Sequence, residues 1–201
     1  INKLFSNCSS LSSNPKLGHV REFEKEVCKK FGAKYALAVT SGTAAIKIGL
    51  LALGVKKNDE VITQAFNFIA TIEAILDIGA KPILVNVDKS LNMCPKSLEK
   101  LINKKTKAVI PVHMLGVSVD MEKILKISKK FSVPILEDNC ETFGGKYKNR
   151  YLGLIGDIGV ASFDGGKIVT CGEGGLIYTN NKKVDTYSRE YHDHGHENNP
   201  K

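Results

Sequence analysis

The sequence has no tryptophan, only 3 methionines and 6 prolines, and aromatic residues make up just 7% of it. No apolar run reaches the roughly 18 residues of a membrane-spanning helix, so no membrane span is expected here. The five cysteines (Cys8, Cys28, Cys94, Cys140, Cys171) are scattered and odd in number, and none forms a CxxC pair. That argues against a disulfide scaffold and leaves reduced thiols in a cytoplasmic protein as the simplest account. The opening Ile1-Asn2-Lys3-Leu4 has neither a signal peptide's layout nor an initiator methionine, so the sequence is expected to begin inside a longer protein.

Acidic residues are the other shortage. Against 29 Lys and Arg stand 21 Asp and Glu, a net charge of +8 in 201 residues. The lysines fall in pairs on expected helices, as at Lys29-Lys30, Lys104-Lys105 and Lys129-Lys130, and no segment interleaves them with aromatics. Solvated helix faces explain this better than a nucleic-acid surface, though an anionic small-molecule ligand also fits the balance. Hydrophobic residues at 42% and charged ones at 25% place the chain among ordinary globular domains, with length for one sizeable core.

What is present alternates between helix and strand. Residues 1–17 are rich in Ser and Asn and read as an arm. Val20, Phe23, Val27 and Phe31 have helical spacing, and Gly32 ends that helix. Strands are expected at 35–40, 61–63, 81–87, 107–113, 133–137, 158–163 and 175–179. Helices are expected at 44–53, 68–78, 95–102, 121–131 and 182–191. Continuous apolar strands separated by helices indicate an α/β fold with a mostly parallel sheet covered on both faces. In such sheets ligands lie beyond the carboxyl ends of the strands. Ser41-Gly42-Thr43, Asp138 and Ser162 all stand at expected strand ends.

Four stretches could carry chemistry. Thr40-Ser41-Gly42-Thr43-Ala44-Ala45 joins a strand to a small-residue helix, where free N–H groups and hydroxyls suit an anion; an ordinary N-cap is the competing reading. Asp138, after Glu137, can pair with a protonated ring nitrogen, or simply cap a turn. The aromatics of Gln64-Ala65-Phe66-Asn67-Phe68-Ile69-Ala70-Thr71 could stack on a planar ring or belong to the core. Tyr191-His192-Asp193-His194-Gly195-His196-Glu197 could bind metal, but with no independent metal signature a polar loop is preferred and no metal site is assigned. Between them, Ser162-Phe163-Asp164-Gly165-Gly166-Lys167 sets one lysine in a glycine-rich loop flanked by apolar strands. A desolvated amine there would be a nucleophile, whereas taken by itself the stretch reads more readily as a surface turn.

In this order the motifs resemble the DegT/DnrJ/EryC1/StrS family of sugar aminotransferases. The resemblance runs from about Gly18 to Asn181. It rests on Val39-Thr40-Ser41-Gly42-Thr43-Ala44-Ala45, Asp59-Glu60-Val61-Ile62, Ala80-Lys81-Pro82, Thr106 to His113, Glu137-Asp138, Gly156-Asp157, Ser162-Phe163, and Lys167 with Gly172-Glu173-Gly174-Gly175. It implies the large domain of the fold type I scaffold over 18–201, without the smaller C-terminal domain. The implied cofactor is pyridoxal 5'-phosphate, and the implied assembly is a homodimer with shared active sites. By that resemblance Lys167 bonds the cofactor and shuttles a proton, and Asp138 holds the ring nitrogen protonated. Ser41, Gly42, Thr43 and Ser162 contact phosphate, and Phe68 stacks on the ring.

Glu141 stands where the family usually has Gln or His, near the cofactor's phenolic oxygen, and a carboxylate there would repel a phenolate. Asp164 is the second departure, with an unusual substrate as its expected contact. The implied reaction moves an amino group, from glutamate, to a keto or aldehydo sugar for cell-surface polysaccharide. Ser162-Phe163-Asp164 and the histidine tract most resemble a member that forms 8-amino-3,8-dideoxy-manno-octulosonate. A nucleotide-linked ketosugar is the alternative substrate, and a non-catalytic sugar-sensing regulator the alternative function.

Overall fold

The computed structural model describes residues 18–194. The expected arm at 1–17 and the histidine tract from Gly195 onward lie outside those residues. Six helices and nine strands follow in order. They are α1 (His19–Phe31), β1 (Tyr35–Val39), α2 (Gly42–Ala52), β2 (Glu60–Gln64), α3 (Ile69–Asp77), β3 (Lys81–Val85), α4 (Pro95–Leu101) and β4 (Thr106–Ile110). Then come α5 (Met121–Phe131), β5 (Leu136–Asp138), β6 (Lys146–Tyr147), β7 (Arg150–Tyr151), β8 (Ile158–Ser162), β9 (Gly175–Thr179) and α6 (Lys182–His192).

β3, β2 and β4 form one ladder, and β5, β8, β9 and β1 another. Parallel bridges at Val109–Ile135 and Val112–Asp138 join β4 to β5. The result is one seven-stranded sheet in the order β3-β2-β4-β5-β8-β9-β1. Only β9 runs against its neighbours, pairing antiparallel with both β8 and β1. The expectation of a mostly parallel sheet therefore holds.

Side chains alternate across the pleat, so neighbouring residues enter different cores. Val61, Ala108, Ile110 and Leu136 pack with Ile46, Leu50 and Ile75 from α2 and α3. Ile62, Val109 and Ile135 pack on the opposite face with Leu98, Ile124 and Ile127 from α4 and α5. This two-sided burial explains why the strands read as continuous apolar runs.

Three local expectations change. β5 begins at Leu136, not Val133: Pro134 has no N–H, and the Ile135 N–H donates to the Asp157 carboxylate at 2.8 Å instead of to a ladder. The α1 stripe is only partly buried. Val20 is exposed, while Glu24 is buried and accepts from the Ala38 N–H at 3.0 Å and from Arg189 at 3.4 Å. The hairpin β6–β7 is an added element, turning through Lys148 in the left-handed region (φ 53°). Its charged sequence carries no apolar alternation. Among the described residues no helix is long and apolar enough to cross a membrane.

Candidate active site

The carboxyl ends of β1, β5 and β8 and the N-terminus of α3 surround a cavity of about 430 Å³. All eight residues singled out from the sequence line it: Ser41, Gly42, Thr43, Phe68, Asp138, Glu141, Ser162 and Lys167. A parallel sheet brings them together because its strands all end at the same edge.

The first wall is the start of α2. Ser41 caps the helix, its Oγ accepting from the Ala44 N–H at 3.1 Å and its carbonyl from the Ala45 N–H at 3.0 Å. Both readings of Ser41-Gly42-Thr43 therefore have a basis, since the capped first turn still presents Gly42 and Thr43 to the cavity. The turn is squeezed between two strands. A Cβ on Gly42 would come within 2.8 Å of the Ser162 Cβ, and one on Gly175 within 2.1 Å of the Ser41 carbonyl oxygen. The glycine run after Lys167 thus serves the helix N-terminus across the sheet.

The second wall is the end of β5. Asp138 is 2% exposed. Its Oδ1 accepts from the Cys140 N–H at 3.1 Å, and its Oδ2 from the Thr71 hydroxyl at 3.0 Å. Burial first, and then the Asp138 carboxylate, push the Cys140 thiol well above its ordinary pKa. Cys140 therefore stays a neutral thiol in the cavity wall.

Glu137, one residue earlier, points to the other face and is fully buried. It accepts from the N–H groups of Gly153, Ile155 and Gly156 and lies 3.3 Å from His113 Nε2. His113 Nδ1 accepts from the Val119 N–H, so Nε2 carries the proton and donates to Glu137. Glu137 is thus a clamp on the 153–156 loop.

The third wall is the lysine loop. Lys167 is half-buried while residues 164–166 and 168–173 are exposed. The flanking strands do not enclose it as the sequence suggested, because the loop extends past the sheet edge. Lys167 Nζ lies 5.6 Å from the centroid of the Phe68 ring. Phe68 is the N-cap of α3 and is 65% exposed. Asp164 is occupied locally, its Oδ2 accepting from the Gly166 N–H at 3.0 Å. Glu141 is pinned from across the cavity, its Oε2 accepting from the Leu115 N–H at 2.8 Å. Among the described residues no three His, Cys, Asp or Glu side chains are grouped to hold a metal.

The profile described as the DegT/DnrJ/EryC1/StrS aminotransferase family matches residues 12–201. The chain belongs to this family. It is 40% identical over 175 residues to the GDP-perosamine synthase of Escherichia coli O157:H7, covering 87% of this chain and 48% of that enzyme. An aminotransferase structure from Psychrobacter cryohalolentis superposes with a TM-score of 0.92 at 34% identity, over 98% of this chain and 50% of that one. NtdA of Bacillus subtilis, solved with bound cofactor PMP, gives 0.88 at 33% identity, over all of this chain and 45% of its own. The chain thus spans about half the length of these family members.

Sequence reasoning missed Thr71 and the clamp role of Glu137. Thr71 stands 67 positions from its partner and left no local signal beyond following Phe68 by three residues. The Glu137 carboxylate was visible, but its direction was not. Strand alternation, which sends Glu137 and Asp138 to opposite faces, was the available clue.

Proposed function

We propose that the protein carrying this chain is a pyridoxal-phosphate-dependent aminotransferase of a ketosugar. One observation carries the reading: a lysine amine, a buried strand-end carboxylate and a helix N-terminus converge on one cavity. The residues fit the three ends of that cofactor. The first turn of α2, with the hydroxyls of Thr43 and Ser162, suits a phosphate, and the missing Cβ of Gly42 lets that turn pack close against Ser162. Asp138 suits a protonated ring nitrogen. Phe68 offers an uncovered aromatic face to a planar ring.

Bound there, pyridoxal phosphate supplies a carbonyl that accepts amino groups and a ring that withdraws electrons. Lys167 would hold its carbonyl carbon and, when freed, would carry a proton. Asp138 would hold its ring nitrogen protonated. Glu141, accepting from the Leu115 N–H, is held in place by that donor in the cavity wall.

On the substrate, the likeness to a GDP-perosamine synthase supports a nucleotide-linked ketosugar. Amination to 8-amino-3,8-dideoxy-manno-octulosonate has less support, because the 40% identity is to a GDP-perosamine synthase. Glutamate as donor, a cytoplasmic setting and a role in cell-surface polysaccharide complete the proposal. A homodimer with shared active sites is supported by apolar residues left exposed beside the cavity: Phe68, Leu115, Val117, Ile168 and Val169.

The test uses the full-length protein. With pyridoxal phosphate, borohydride should fix the cofactor to the peptide holding Lys167, and glutamate alone should convert the bound cofactor to its amine form. A covalent adduct surviving in Lys167→Ala would overturn the site. Failure of the glutamate half-reaction would favour a sugar-sensing regulator.

A further inference from the structure

We propose that Thr71 is a positioning residue for Asp138: its hydroxyl fixes the orientation of the carboxylate, leaving it ready to accept from a cofactor ring nitrogen. This rests on the aminotransferase reading of the cavity. A polar group buried as deeply as the Asp138 side chain needs hydrogen-bond partners, and its two oxygens are anchored separately. The Cys140 N–H holds Oδ1 from the following turn, and Thr71 holds Oδ2 from α3. With both oxygens anchored, the carboxylate plane cannot swing.

Thr71 is 2% exposed and sits in the first turn of α3, three residues after its N-cap. The partial positive charge of that helix end therefore also faces Asp138. A helical threonine commonly bonds a carbonyl of its own helix, three or four residues back. Here the hydroxyl is directed to the carboxylate instead, and β-branching limits the rotamers that could take it elsewhere. The turn that begins with Phe68 at the ring-facing position thus also delivers the donor for the ring's charge partner.

The other titratable groups lining the cavity with Asp138 are the Cys140 thiol and Glu141 from the following turn, and Asp164, Lys167 and Glu173 from the lysine loop. Glu137 lies on the opposite face of β5, and Tyr178 lies beneath on β9, its hydroxyl bonded to Asn139 and Leu152. The Tyr178 hydroxyl donates to the Leu152 carbonyl and Glu141 accepts from the Leu115 N–H, while the Cys140 thiol, kept protonated by burial, also contacts the Asp138 carboxylate from its own turn; Thr71 is the side-chain donor that reaches it from another element, α3.

The experiment compares Thr71→Val, Thr71→Ser and Asp138→Asn in the full-length protein. Loss of a hydrogen bond to a charged group should weaken pyridoxal phosphate in an absorbance titration by about 10- to 100-fold in Thr71→Val. It should also shift the pH midpoint of the bound cofactor's visible absorbance, and Thr71→Ser should restore both. Thr71→Ala replaces the valine variant if that one does not fold. A Thr71→Val protein with wild-type affinity and midpoint, beside an impaired Asp138→Asn, would overturn the proposal, even if its cofactor-free form melts lower. If Asp138→Asn is also unimpaired, the aminotransferase reading fails and not the Thr71 assignment alone.

Discussion

At the end of β5 two adjacent carboxylates are gripped by buried donors, whereas the loop that carries Lys167 is held by its own turns. Glu137 takes three backbone N–H groups and a histidine, and Asp138 takes a hydroxyl and an N–H. The 164–174 loop relies on local bonds such as Lys167 N–H to Asp164 O and Cys171 N–H to Phe163 O, and it lies mostly exposed. The Asp138 carboxylate is therefore set by the sheet, while the Lys167 amine is left adjustable. On the proposed reading, that division suits a site whose electrostatics must be ready in advance and whose nucleophile must attach and detach.

Removing the clamp should break the contrast most severely. Glu137→Ala leaves buried N–H groups without an acceptor and should cost about 3–5 kcal/mol in a denaturant melt, the range for stripping one partner from a buried charged network. A cost under about 1 kcal/mol would show that the β5 end is not rigidly held.

Asp120 gives an intermediate case, since it caps α5, the helix leading into β5, and accepts from Tyr147 of the β6–β7 hairpin at 3.0 Å. Asp120→Ala should cost about 1 kcal/mol at neutral pH. The Lys123 ammonium holds the Asp120 carboxyl below its usual range. A lowered folded-state pKa adds stability above the unfolded value, and that stability is lost as pH falls through the folded one. The gap between wild type and variant should accordingly close in acid, and a gap that widens there would contradict the assignment.

The smallest effect on stability belongs to the loop. Asp164→Ala should melt within about 0.5 kcal/mol of wild type, as for most exposed changes. Borohydride fixation at Lys167 should nevertheless slow, because the turn that presents the amine is loosened. Equal fixation rates would show that the turn does not matter to the lysine.

The sheet and the meeting of Ser41-Gly42-Thr43, Asp138 and Ser162 were legible in the sequence because they follow from strand period and strand ends, whereas Phe68, Glu141 and Lys167 entered through the resemblance to the family. What escaped depended on direction or distance. Glu137 and Asp138 look alike in a sequence, yet one closes a loop and the other opens onto the cavity. Asp164 lines the cavity, and its Oδ2 also accepts from the Gly166 N–H, a turn bond that the sequence did not announce. Thr71 is tied to Asp138 only by the packing of α3 on the sheet. The enclosure expected around Lys167 assumed that flanking strands extend over the loop, but the ladder closes at Ser162–Gly175 and the loop leaves the sheet there.

That closure follows from β9 running against its neighbours. A parallel successor to β8 would have required a long crossover, and the lysine would have ridden on it across a face of the sheet. Instead the segment from Phe163 to Gly174 leaves and re-enters at one rung. The entropy of bringing its ends together is already spent by the folded ladder. On the proposed reading Lys167 is a tethered reagent, its amine 5.6 Å from the centroid of the Phe68 ring. Its effective concentration at the cavity is thereby set by sheet register rather than by how tightly the side chain is packed.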